Sequence, residues 1–171
     1  MTGERVVESQ IQLLARAADA TEESIEQNLA TQRRIVRILK EEPDDDAARD
    51  GIRGLLAGAP PQAVEAATAS VGPWSRLFFF YDPLPTLAKL RVPVLALWGE
   101  KDMQVPPNEN LPPVQQALEQ AGHRDYSLKV LDGLNHLFQT SDSGLPIEYG
   151  QIQETFAPVA LREITDWILV H

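Results

Sequence analysis

Two residues in this chain stand where a proton-transfer pair could form. Asp102 lies three residues beyond the apolar run Val92-Pro93-Val94-Leu95-Ala96-Leu97-Trp98-Gly99, and His136 lies just past a second run, Tyr126-Ser127-Leu128-Lys129-Val130-Leu131. An aspartate that accepts the Nδ1–H of a histidine fixes the ring's tautomer and stabilises the imidazolium formed when the other nitrogen takes a proton. That is the base and the orienting group of nucleophilic catalysis. Each residue also has a plainer role open to it: Asp102 as a turn residue capping the helix that follows, His136 as an ordinary core or surface histidine. Glu100 is the second candidate acid, although its position two residues earlier directs it at the neighbouring loop. His123 follows Gly122 and is expected to cap a helix end, and the terminal His171 carries no readable signal. Asp102, Asn135 and His136 offer a single good nitrogen ligand, too few for a metal site, so neither metal nor cofactor is expected.

The elements that must position the pair follow from the apolar pattern. A short run without polar alternation is the pattern of a strand buried on both faces of a parallel sheet, which predicts strands over about 92–98 and 126–131. The stretch from about 107 to 121, closed by Gly122, predicts a helix between them. Strand, helix and strand make one βαβ unit. Such connections are right-handed and leave both strand tips at one edge of the sheet, where open α/β sheets place their sites, so Asp102 and His136 are expected to meet.

At these residues the chain resembles the α/β-hydrolases. In that family the acid commonly follows the seventh strand in a Gly-x-x-Asp turn, matched by Gly99-Glu100-Lys101-Asp102, and the histidine follows the eighth, matched by Gly133-Leu134-Asn135-His136. A closing helix over about 158–169 is similar too, and the detail looks most like esterase-like and peptidase-like members near the dienelactone hydrolases and prolyl oligopeptidases. The resemblance is specific from about residue 81 onward and consistent before it. It implies an α/β fold of which this chain is the carboxyl-terminal half. It also implies a serine hydrolase acting on a small-molecule ester or amide, with Asp102 as the triad acid and His136 as the base. The family's nucleophile sits in a Gly-x-Ser-x-Gly elbow. The serines here are Ser9, Ser24, Ser70, Ser75, Ser127, Ser141 and Ser143, and none has glycine two residues away on both sides. The resemblance therefore implies a fragment that is inactive alone.

Ahead of the first strand, residues 1–80 show helical periodicity: one helix over about 4–19, a second capped by Thr21 and stopped by Pro43, a third begun by Asp44-Asp45-Asp46, and a small-residue helix over about 62–71. The family commonly inserts a cap over its active site at this point. By that resemblance the helices form a lid region, 1–80, on a core region, 81–171, and Trp74, Phe78 and Phe79, with Phe80, are candidates for an apolar substrate lining. The alternative is that these aromatics pack between lid and sheet, because so apolar a cluster buries itself first. Residues 139–154 read as a long loop over the site, in which Asp142, Tyr149 and Gln151 are further, unranked ligand contacts.

Composition narrows the function classes. A formal charge of −10 argues against nucleic acid and anionic membrane surfaces, which are recognised by clustered Lys and Arg. Cysteine is absent, so disulfides and thiolate metal sites are excluded. The first residues lack the pattern of a signal peptide, and a cytoplasmic protein is expected. With 171 residues the chain is roughly a hundred shorter than a full sheet of this family requires. Two strands are too few to stand alone, and an unpaired apolar edge invites another chain. The expected partner is a second copy in a homo-oligomer or a separate amino-terminal half. A non-catalytic self-associating or binding module is the competing function.

Overall fold

The computed structural model describes residues 1–171, which divide into two compact units, Thr2–Tyr81 and Asp82–His171 with Met1. The first unit is helical throughout: α1 (Gly3–Ala17), α2 (Glu22–Glu41), α3 (Asp45–Leu55), α4 (Pro61–Ala69) and α5 (Pro73–Phe80). The Thr21 hydroxyl caps α2 by accepting the Ser24 N–H, and Glu22 and Glu23 place negative charge on its first turn. Asp44 caps α3 through the Ala47 N–H. Apolar residues of α2 at helical spacing, Ile25, Leu29, Val36 and Leu39, turn inward, and Leu39 joins Ala48, Ile52 and Val71 in the unit's core. The aromatic run at 77–80, which carries no clear period in the sequence, is helical. Pro73 supplies a fixed φ at its first turn, and the Ser75 hydroxyl accepts the Gly72 N–H at 3.2 Å while donating to the Gly72 carbonyl at 2.8 Å.

The second unit contains the short helix α6 (Leu84–Leu87), β1 (Val94–Gly99), α7 (Pro107–Gln120), β2 (Tyr126–Leu131), a 3₁₀ turn (Pro146–Glu148) and α8 (Pro158–Val170). The strands pair in parallel with Val94 opposite Tyr126 and Gly99 opposite Leu131, so α7 is the crossover of one βαβ unit. The class is mixed helix and strand, with helix dominant and a sheet of two strands.

Two expectations about β1 need correction. It begins at Val94 rather than Val92, because Pro93 has no N–H to give to a ladder and the Val92 carbonyl is taken by His123 Nε2 at 3.0 Å. It is also not buried on both faces: Trp98 and Gly99 are buried, whereas residues 94–97 are half-buried. In this sheet only β2 pairs with it, and its other edge has no neighbouring strand. Below β2, Leu131, Leu134, Ala157 and Ala160 form the unit's core, with Leu97, Phe138 and Phe156 packed around them. No helix is long and apolar enough to cross a membrane.

Candidate active site

Both strands end at the same edge, and the loops leaving them are joined backbone to backbone. The Glu100 N–H donates to the Leu131 carbonyl and the Lys101 N–H to the Leu134 carbonyl, each at 2.9 Å, while the Glu100 carboxylate accepts the Gly133 N–H at 2.8 Å. Glu100 is thereby engaged with the neighbouring loop. The loops approach so closely at Gly99 that a Cβ there would collide with the carbonyl oxygens of Leu134 and Asn135. Glycine is required for that contact rather than for the strand.

Asp102, 6% exposed, uses its two oxygens for different purposes. Oδ1 accepts the backbone N–H groups of Gln104 and Val105, each at 2.8 Å, and Oδ2 accepts His136 Nδ1–H at 2.8 Å. The turn role and the pairing with histidine are therefore both realised. The capped N–H groups belong to the loop ahead of α7. His136 Nε2 has no hydrogen bond within the chain, and its side chain is 35% exposed, so this nitrogen is open to an incoming proton.

The electrostatics of the pair favour charge on both partners. The hydrogen bond from Asp102 raises the His136 pKa, against the opposing effect of burial. Burial by itself pushes the Asp102 carboxyl upward, but hydrogen bonds from His136, Val105 and Gln104 outweigh it and hold the group below its usual range. One opposite charge sits against each group, so the shifts run in the two directions that an ion pair demands.

The turn presenting the imidazole is built by Asn135, whose side chain is completely buried. Its Oδ1 accepts the N–H groups of Leu137 and Gln139, each at 2.9 Å, and its Nδ2 donates to Gln139 Oε1 at 3.0 Å. The turn closes with Phe138 at φ 57°, a left-handed conformation that is uncommon for an aromatic residue, its ring set against Phe156 at 5.3 Å. The following loop is docked on the acid turn. Lys101 Nζ donates to the carbonyls of Ser141 and Asp142 at 2.8 and 2.9 Å, and a Cβ at Gly144 would overlap the Lys101 carbonyl. Glu148 gathers the hydroxyls of Ser141 and Ser143, which hold its carboxyl down to about 2.

Of the candidates named from the sequence, the structure thus brings Asp102 and His136 together. Trp74, Phe78 and Phe79 lie in the helical unit. Phe79 packs on that unit's core, and Trp74, 72% exposed, stacks on Phe78 at 5.3 Å between ring centres. Among the loop candidates, Asp142 contributes its carbonyl to Lys101, and Gln151 is exposed. Tyr149 accepts a hydrogen bond from Gln104 at 3.1 Å. Sequence reasoning missed Gln104 and Lys101, and it weighed Asn135 only as a metal ligand, not as the builder of the turn. For Asn135 a signal existed, since an asparagine directly before a tight turn is a recurrent backbone-binding residue. For Gln104 and Lys101 there was none, because their partners lie about 40 residues away. No family model, curated protein or solved structure matches the chain.

Proposed function

We propose that Asp102 and His136 are the acid and base of a serine-hydrolase triad of the α/β-hydrolase type, and that the nucleophile belongs to a segment outside these 171 residues. One observation carries the reading: a buried carboxylate bound to His136 Nδ1 at 2.8 Å, at the tips of two parallel strands, with Nε2 left open. In the assembled enzyme Nε2 takes the serine's proton as Oγ attacks an ester or amide carbonyl, and returns it to the leaving group; Asp102 holds the ring and stabilises the imidazolium. Base and orienter without a nucleophile give only weak acceleration, so the chain alone is inactive. A fluorophosphonate probe tests this: no serine of the purified chain is labelled, and stoichiometric labelling of any of its seven serines would overturn the proposal. Co-expression with a polypeptide bearing a Gly-x-Ser-x-Gly elbow should restore hydrolysis of a simple aryl ester.

A second reading, a self-associating module without catalysis, has its own observation. The free edge of β1 runs beside an apolar groove lined by Val92, Val94, Leu97, Phe138, Trp167 and Ile168. On this reading the edge pairs with a second copy. Sedimentation at micromolar concentration would then find dimers or larger assemblies, and a strictly monomeric boundary would rule it out.

A further inference from the structure

A second histidine of this unit is held from two sides. His171 stands at the C-cap of α8, and both of its ring nitrogens meet an acceptor: Nδ1 lies 2.9 Å from the Trp167 carbonyl and Nε2 lies 3.1 Å from Asp125 Oδ1. A neutral imidazole carries one N–H and can serve only one of the two, whereas the imidazolium carries two and serves both. The rest of the seat suits a cation as well. The ring closes the carboxyl end of a helix, where the peptide dipoles turn their negative ends, and it stacks on the Trp167 indole with ring centres 4.4 Å apart.

The seat joins two elements. Trp167 belongs to α8 and, with Ile168, lines the apolar groove beside the free edge of β1. Asp125 belongs to the loop leading into β2, and its carbonyl accepts the Val94 N–H at 3.0 Å, where the two strands begin to pair. His171 therefore fastens a wall of the groove to the amino ends of the strands, the edge opposite to that of Asp102 and His136. Of the charged groups around the ring, only Asp125 is bonded to it. Arg124 beside it is exposed, and His123 of the same loop is turned to the Val92 carbonyl. On α8, Glu163 is paired with Lys129, and Arg162 and Asp166 are exposed.

We propose that His171 is a proton-dependent latch on α8: as the imidazolium it ties the end of the helix to the loop before β2, and on losing its proton it lets that end go. In the neutral ring one nitrogen turns a lone pair on an oxygen, so the ring leaves its place between carbonyl and carboxylate. The groove wall is then fastened in acid and loosened in base. This latch is independent of the acid and base roles proposed above.

The test uses the full chain carrying Trp74→Phe and Trp98→Phe, in which Trp167 is the one remaining tryptophan. A protonated imidazole stacked on an indole quenches its emission. Trp167 emission should therefore rise in one step from about pH 5 to about pH 8.5, an interval that brackets an ordinary histidine, and the step should vanish in His171→Gln. Flat emission, or a step that survives His171→Gln, overturns the proposal. The fastening itself is read by amide hydrogen exchange over residues 168–170, each variant against the native chain at the same pH. In acid, Asp125→Asn and His171→Gln should each speed exchange roughly threefold, the size expected when a cation is lost or freed at a helix end. The double variant should exchange no faster than either alone, and in base Asp125→Asn should leave the rate unchanged. The two side chains are 57% and 25% exposed, so neither substitution threatens the fold. A native rate for Asp125→Asn in acid, an equal acceleration in acid and base, or additive effects in the double variant would each overturn the latch.

Discussion

The two units bury polar groups in different ways. In Thr2–Tyr81 the buried polar residues are hydroxyls, and those of Thr68 and Ser75 are satisfied within one turn of their own helices. In the second unit the buried polar residues are Asp102, Asn110, Asn135, Gln139 and Ser141, and most of their bonds leave regular structure to organise loops. The first unit is organised by an apolar stripe, with surface ion pairs such as Arg16 with Glu22 adding little. The second has a smaller apolar core and depends on buried hydrogen bonds to place its chemistry. A side chain in the first unit is therefore replaceable by another of its size and polarity, whereas a buried polar residue in the second is tied to particular partners.

Substitutions can break or sharpen that contrast, and tryptophan fluorescence can read each side through single-tryptophan variants retaining Trp74 or Trp98. The largest expected loss is in the helical core: Ile52→Ala, at a site with no exposure, should cost about 3–4 kcal/mol in urea unfolding reported by Trp74. Gly99→Ala should cost about 3 kcal/mol reported by Trp98, because its new methyl meets two backbone carbonyls that cannot rotate away. Asn135→Ala should cost about 2 kcal/mol, leaving two N–H groups without their acceptor in a buried turn. Ile52→Val would be mild, whereas Asn135→Asp, nearly the same size, would still disturb the turn by removing the donor to Gln139. Equal tolerance at both sites would dissolve the contrast.

A smaller effect follows pH. The carboxyl of Asp102 titrates below its ordinary 3.8, so its contribution is fully present above 3.8 and fades as pH falls through the lowered value. His136 titrates above its ordinary 6.5, so its contribution is fully present below 6.5 and fades as pH rises through the raised value. The stability difference between the native chain and Asp102→Asn should therefore be greatest between 3.8 and 6.5 and shrink on either side, as urea midpoints across that range would register. The smallest effect is expected at Arg16→Ala, whose exposed ion pair should leave the Trp74 transition unmoved.

Local pattern carried much of this molecule. Thr21 and Asp44 mark helix starts because capping needs only a side chain three residues from an N–H, a relation visible along the chain. The strand, helix and strand around α7 were legible for the same reason, as was the meeting of Asp102 with His136, since a parallel crossover returns the chain to the same edge. What the linear order could not express was how much of β1 is covered, which depends on how many strands lie beside it, and which loop residue reaches the acid turn. Tyr149, Asp142 and Gln151 are equivalent as letters in a polar loop. Only the folded path, which seats Gly144 on Lys101 and carries the hydroxyl of Tyr149 to Gln104, separates them, because hydrogen bonds across some 40 residues are a matter of distance in space.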